Sequence, residues 1–426
     1  MRQLTQLSAS QAAALLSRRE ISAEELTRAC LHRIADRDAR VQAWQFIDEK
    51  IALDQARQLD LAPIAPLYGV PIGIKDIIDT ADMPTEYGSS IFSGHRPAAD
   101  AACVAALRRS GAVILGKTVT TEFAYFTPGK TRNPHRLDHT PGGSSSGSVA
   151  AVADQMVPIA LGTQTAGSVI RPASFCGVIG FKPTFGQFPT SGIKQLALSL
   201  DTLGVFTRDL TDLPLVWKVF GGNAWSLPAA DLPPRIAFCR TEQWPLATPD
   251  AQRVLVESAE ALRTAGARIE EIELSAAFHG LHDVQKLVMA VEMTEALRDE
   301  RERYADQLGT ELLQIFKEGK ACSAERYQLA LGRALECRQQ IEAIFARFDV
   351  LLTPSARGEA PVGLLSTGDP AFNRVWTLLH LPCINLPIGR GDRGLPIGIQ
   401  LVGPARGDAR LYHAAGWTLR ALRAEG

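Results

Sequence analysis

The sequence predicts an α/β fold: one large domain, residues 1–426, built on a mixed, mainly parallel β-sheet. Three observations predict it. Short apolar runs at 112–115 and 157–161 alternate with helical patterns between residues 67 and 215. Residues 101–109 read as a helix feeding directly into the 112–115 run, the αβ unit from which parallel sheets are assembled. Strand-like runs return after residue 346, so α/β character at both ends encloses a helical middle. One sheet completed by the C-terminal segment accounts for that order.

Taken along the chain, the first sixty residues read as helices. Ser8 with Gln11, and Ser22 with Glu25, match the capping box, in which each side chain satisfies an orphan N–H of the other residue. Leu26, Cys30 and Ile34 then recur at helical spacing. Residues 67–215 form the core segment, with Gly, Ser and Thr concentrated between 140 and 192. Such a run is often a flexible linker. Here it leads into Val149-Ala150-Ala151-Val152-Ala153, a small-residue helix suited to tight burial, and is read as part of the fold. Residues 222–345 are charge-rich and helical (251–265, 284–302, 324–348), and are read as a layer over the sheet or a segment shaping a substrate entrance. Residues 346–426 supply strands at 350–353, 383–387 and 397–402 and a final helix over 409–424.

Composition excludes several classes of function. With 46% hydrophobic and 21% charged residues and a formal net charge of −1, nothing points to a nucleic-acid or anionic-membrane partner. The seven cysteines (30, 103, 176, 239, 322, 337, 383) are scattered, without metal-ligand spacing, so reduced thiols and no metal are expected. No apolar stretch is long enough to span a membrane, and the first residues lack a signal-peptide pattern. A cytoplasmic protein is expected.

Three segments place a reactive side chain beside glycine: Gly73-Ile74-Lys75-Asp76, Gly142-Gly143-Ser144-Ser145-Ser146-Gly147-Ser148, and Gly162-Thr163-Gln164-Thr165-Ala166-Gly167-Ser168. By spacing alone, Lys75 also reads as an ion-paired lysine ending a buried strand, and both serines as turn or cap residues. Burial would depress the Lys75 pKa from about 10.4 and let the neutral amine act as a base. A G-x-S-x-G elbow is absent, because Ile170 stands where its second glycine belongs. His95, His135, His139 and His380 sit in no motif of their own. A serine nucleophile here therefore needs another proton acceptor, and lysine is the recognised one.

These segments, in this order, resemble the amidase signature family. The likeness runs from residue 67 to about 209. It takes in Gly111–Thr118, Glu122-Phe123-Ala124, Asn133-Pro134, Pro141–Ser145, Cys176-Gly177, Gly180-Phe181-Lys182-Pro183-Thr184, Ser199-Leu200-Asp201 and Gly204. Gly394–Gly403 resembles the family's last core strand and turn. The resemblance implies a sheet covered by helices on both faces and the catalytic set Lys75, Ser144 and Ser168. Ser168 would form the acyl-enzyme, Ser144, after a cis peptide, would bridge, and Lys75 would be the base. It also implies an oxyanion hole from the backbone N–H groups of Thr165, Ala166, Gly167 and Ser168, with no cofactor. Lys117 and Cys176 match family positions too, and are expected to be structural. Met83, Tyr87, Phe92, Phe126 and Trp376 are candidates for a partly aromatic pocket, each also readable as core, with the 80–97 loop and the helical middle as contributors.

The chain departs from the family pattern at Gln164 (often Asp), Ala166 (often Gly) and Ile170 (often Arg, here displaced to Arg171). His139 and His135 replace a frequent arginine and tryptophan. Gln164 cannot supply a carboxylate's charge, so any ion pair to the following arginine must be rearranged. The resemblance implies hydrolysis of a small-molecule amide, and is compatible with a homodimer. It also admits the amidase subunit of a glutamine-dependent tRNA amidotransferase, or a catalytically inactive amidase-like binding domain.

Overall fold

Both N-terminal capping boxes form. Ser8 Oγ accepts from Gln11 N at 3.1 Å while Gln11 Oε1 accepts from Ser8 N at 2.9 Å, and Ser22 and Glu25 pair in the same way. They start the helices Ala9–Ser17 and Ala23–Val41. The second helix stops at Gln42, which takes a left-handed backbone (φ 56°). The chain then enters a short strand, β1 (Trp44–Ile47), that the helical reading of this region does not anticipate. Four residues are too few to show a period of two.

The computed structural model describes residues 2–222, 225 and 232–424. Within them the strands after β1 are β2 (Pro71–Lys75), β3 (Val113–Thr118), β4 (Ile159–Gln164), β5 (Ile179–Lys182) and β6 (Thr202–Thr207). They continue with β7 (Arg235–Cys239), β8 (Arg268–Ile272), β9 (Val350–Pro354), β10 (Cys383–Arg390) and β11 (Pro396–Val402). All eleven join one sheet in the order β1-β3-β2-β4-β6-β5-β10-β11-β9-β7-β8. Helices flank this sheet, and the chain is a single domain.

The sheet is mixed, but the expected predominance of parallel pairing is not found. Parallel ladders join β3 to β2, β2 to β4, β9 to β7 and β7 to β8. The other six ladders are antiparallel. For β10 and β11 the reason is connection length. A parallel neighbour needs a crossover of a dozen or more residues, and the turn between β10 and β11 is far shorter. The helix Ala102–Arg109 does feed β3 beside β2, as the αβ pattern predicts.

Residues 222–345 also carry more than helices. Pro249–Thr264, Leu281–Ala296, Thr310–Ala321 and Ala324–Arg347 form near the expected positions. Between them β7 and β8 extend the sheet past β9. Ile236–Cys239 is buried against β9, whereas β8, Arg268-Ile269-Glu270-Glu271-Ile272, is a charged edge strand whose composition hides it. Residues 223, 224 and 226–231 of this segment lie outside the described residues.

Third and fourth in the sheet order, β2 and β4 run side by side and parallel, with Ile74 opposite Leu161. Their carboxyl ends open together, where ligand crevices form in α/β sheets. The core behind them is unusual in content: Lys75, Lys117, Lys182 and Arg171 rank among its largest fully buried side chains. Burying a cation is costly unless it is paired or neutralised, so each requires a partner or a purpose.

Candidate active site

Lys75 is the last residue of β2 and is fully buried. Its Nζ donates to Ser144 Oγ at 2.7 Å and to Thr163 Oγ1 at 2.7 Å. Neither partner is charged, so desolvation acts on the ammonium with little opposition. Burial pulls its pKa down to about 7, against the opposing charge of Asp201. At neutral pH a large share of Lys75 is therefore the free amine, with a lone pair to offer.

Ser144 lies on the segment leading into the helix Ser146–Ala153, and the Gly143–Ser144 peptide is cis. Its carbonyl accepts from Thr121 N at 3.2 Å and Ser146 N at 2.8 Å, while Gly143 O accepts from the Arg171 guanidinium at 2.5 Å. The helix presses this segment into the core because its residues are small. A Cβ on Gly147 would lie 2.1 Å from Ala43 O and 2.3 Å from Val119 N, so no other residue fits there.

Ser168 stands between β4 and the helix Ile170–Cys176. The loop carrying it is held by side chains from several directions. Gln164 Oε1 accepts from Val169 N at 2.9 Å and Ile170 N at 3.1 Å, and Gln164 Nε2 donates to Thr377 Oγ1 at 3.0 Å. Thr377 Oγ1 donates to Ala166 O at 2.8 Å, and Gln285 Nε2 to Thr165 O at 2.9 Å. Thr165 Oγ1 donates to Asp201 at 2.6 Å. Burial pushes the Asp201 carboxyl up to about 6, opposed first by that hydroxyl. With the carbonyls of Thr165 and Ala166 tied back, the N–H groups of Thr165, Ala166, Gly167 and Ser168 make none of the described hydrogen bonds. Those residues, with Ser144, line a single narrow cleft. A Cβ on Gly167 would meet Asn373 Oδ1 at 2.4 Å.

The residues singled out from sequence are thus brought together. Lys75 and Ser144 are bonded, and Ser144, Ser168 and the 165–167 backbone share one cleft; a Ser144–Ser168 hydrogen bond is not among those described. Of the candidate pocket aromatics, Phe126 lines the cleft. Met83 and Trp376 are core, and Tyr87 and Phe92 pack edge to face at 5.0 Å away from the lining. The 80–97 loop contributes none of the lining, whereas Met289 of the helix Leu281–Ala296 does. No histidine lines the cleft among the described residues. Cys176 is buried, its thiol donating to Pro141 O at 3.4 Å, and burial pushes its pKa up. Lys117 pairs with buried Asp76 at 3.1 Å. Among the described residues there is no cluster of three or more groups suited to a metal ion, and no helix long and apolar enough to cross a membrane.

Sequence reasoning missed four participants. Thr163 lies in the Gly162–Ser168 segment, but a threonine near the end of a strand carries no signal of its own. Gln285, Arg374 and Thr377 come from distant parts of the chain, and only folding brings them to the loop. Arg171 and Arg374 stand with their guanidinium carbons each 5.9 Å from the centre of the Phe126 ring. Burial pulls Arg171 down to about 9 and Arg374 to about 10, and the charge of Arg374 adds to the effect on Arg171.

The chain resembles known proteins over most of its length. A family model described as Amidase matches residues 25–412. A glutamyl-tRNA(Gln) amidotransferase subunit from Roseiflexus castenholzii is 35% identical, covering 95% of this chain and 94% of the relative. Its counterpart in Clostridium botulinum (strain Alaska E43 / Type E3) is 32% identical, covering 94% of each chain. Among solved structures, the native peptide amidase from Stenotrophomonas maltophilia superposes with a TM-score of 0.83 at 28% identity, over 98% of this chain and 97% of that one. The chain belongs to the amidase signature family, whose enzymes act on carbon–nitrogen amide bonds.

Proposed function

We propose that the chain cleaves a small carboxamide through an acyl-enzyme on Ser168, with Ser144 and Lys75 as the proton relay. The observation that carries this reading is the 2.7 Å contact between a fully buried, readily deprotonated Lys75 and Ser144 Oγ, at the edge of the cleft that holds Ser168. As the free amine, Nζ keeps an N–H bond to Thr163 and turns its lone pair to the Ser144 hydroxyl. Ser168 Oγ attacks the amide carbonyl carbon as its proton passes to Ser144, whose own proton passes to Lys75. The carbonyl π electrons move to oxygen, and the N–H groups of Thr165–Ser168 receive the oxyanion. The intermediate collapses with loss of ammonia or amine, protonated by the same chain run backward. Water then attacks the ester under the same base and releases the carboxylate.

The amidotransferase relatives at 32% and 35% identity favour a second reading, in which the same relay draws ammonia from glutamine for a partner protein. The two differ in what the chain does alone. An ammonia-release assay of the purified protein across an amide panel, blanked with Ser168→Ala, tests both. Turnover of simple amides by the chain alone supports the hydrolase. Ammonia release only from glutamine, and only with partner proteins present, supports the amidotransferase and rules out the first reading.

A further inference from the structure

Asp201 carries a carboxylate to which the Ser168 relay gives no part. It stands one residue before β6, whose Thr202 pairs with Gln164 of β4, so the sheet register sets it beside the Ser168 loop. Its described partners are all neutral donors. Thr165 Oγ1 donates at 2.6 Å to one carboxylate oxygen, and the N–H groups of Leu196 and Ala197 donate to the other at 2.8 and 3.0 Å. Thr165 and Leu196 both line the cleft, so one side chain ties two segments of its lining together.

A second chamber adjoins the cleft, since Thr165 and Leu196 line both. Asp201 and Thr163 line this chamber too, and Thr163 Oγ1 is the hydroxyl that accepts from Lys75 Nζ. Asp201 therefore meets Lys75 through intervening hydroxyls, and its charge opposes the burial that pulls the lysine down. The other charges around the two are engaged elsewhere. Lys117 pairs with Asp76 beside Lys75, and Lys194 of the chamber lining pairs with Glu300. Glu292 repels Asp201 but is itself held by Ser199 and Tyr327, and Arg171, bonded to Gly143 O, has the same sign as Lys75. Nothing in the hydrogen bonding of Asp201 requires a charge. An asparagine would serve all three partners, its Oδ1 taking both N–H groups and its Nδ2 donating to Thr165 Oγ1. Burial disfavours the ionised carboxyl, so a carboxylate at this place needs another purpose.

We propose that Asp201 is a positioning residue for the relay: its hydrogen bonds fix the Thr165 loop, and its negative charge stabilises the Lys75 ammonium that forms as Ser168 gives up its proton. Lys75 changes from amine to ammonium in that step, so a fixed negative charge beyond Thr163 lowers the energy of the charged state more than that of the neutral one. The carboxylate touches no reacting atom and exchanges no proton in the reaction. The proposal rests on Lys75 as the base.

The test compares the unaltered protein with Asp201→Asn and Thr165→Val, by pH–rate profiles and by 15N NMR of lysine-labelled protein, which follows Lys75 without turnover. Asp201→Asn is expected to move both the acid limb of the profile and the Lys75 titration to lower pH, by about one unit. Its plateau kcat should fall roughly tenfold with KM little changed. Thr165→Val loses a neutral bond only, and should lower kcat while leaving both titrations in place. In the unaltered protein the Lys75 signal should show a second inflection, from Asp201, on the acid side of its own, a reading that needs no variant to fold. An Asp201→Asn protein whose kcat falls equally at every pH, with the Lys75 titration unmoved, overturns the proposal and leaves the carboxylate a structural tie. A Lys75 titration that moves while the acid limb stays retains the hold of Asp201 on Lys75 and removes Lys75 as the base.

Discussion

Lys75 Nζ stands 2.7 Å from Ser144 Oγ with no carboxylate among its described hydrogen-bond partners, so the lysine's charge is destabilised where its lone pair is useful. Activity should therefore depend on the free amine. The rate is expected to fall about tenfold per pH unit below about pH 7, as Lys75 becomes protonated. Lys75→Arg stays charged at every accessible pH and should be inactive throughout. A pH–rate profile of Lys75→Arg that matches the unaltered enzyme would refute the base assignment.

The same burial makes Lys75 a liability to the fold. The folded pKa lies below the unfolded value of about 10.4, so the folded state binds fewer protons. The resulting penalty is absent above about pH 10, grows as pH falls, and is complete below about pH 7. Lys75→Met should melt at a higher temperature than the unaltered protein, by a larger margin at pH 7 than at pH 10. Thermal melts across that range check the sign.

Ser144 and Ser168 should separate by chemistry. Ser168→Ala removes the nucleophile and should abolish both turnover and labelling by a fluorophosphonate probe. Ser144→Ala breaks only the relay and should retain slow labelling, with kcat down by roughly 10²–10⁴. Mass spectrometry of the labelled protein decides this, since a label on any residue but Ser168 contradicts the assignment.

How much of this was legible in the sequence follows from how local each feature is. Capping at Ser8 and Ser22 needs only neighbours three residues away, and both boxes form. The proposed relay was legible only as a family resemblance, because Lys75, Ser144 and Ser168 each sit in a distinctive segment. Strand direction was not, since it depends on which strand the chain returns beside. The edge strand β8 hid behind its charges, and β1 was too short to show alternation. Arg374 and Gln285 could not be assigned, because a lone polar residue in a helical region reads as solvated surface until folding buries it.

Gln164 explains a departure that looked damaging. In place of a charge it offers both halves of an amide: its Oε1 takes two N–H groups of the Ser168 loop and its Nε2 holds Thr377. Arg171 is accordingly released to bond Gly143 and Gly368. Gln164→Leu, similar in volume, should leave two buried N–H groups unpaired and cost roughly 2–5 kcal/mol. It should lower kcat as well, by loosening the 165–168 backbone. Denaturant melts and kinetics on the same preparation check both, and a variant as stable as the parent would refute the role.

Lys117 provides the contrast to Lys75. It too is buried at the end of a strand, in β3, but it faces the buried Asp76 carboxylate at 3.1 Å and donates to Pro84 O at 3.4 Å. Burial pushes Asp76 up to about 6, with Lys117 the main opposing influence. Lys117→Met strands that carboxylate in the core and should cost about 3–5 kcal/mol at pH 8. Without the lysine the Asp76 pKa rises further. An acid whose folded pKa exceeds its unfolded one of about 3.9 carries no penalty below the unfolded value and the full penalty above the folded one. The deficit of Lys117→Met should therefore shrink on going from pH 8 to pH 5, and Asp76→Asn added to it should recover part of the loss at pH 8. If the deficit is flat with pH, the ion pair is not what Lys117 contributes, and its packing alone accounts for the loss.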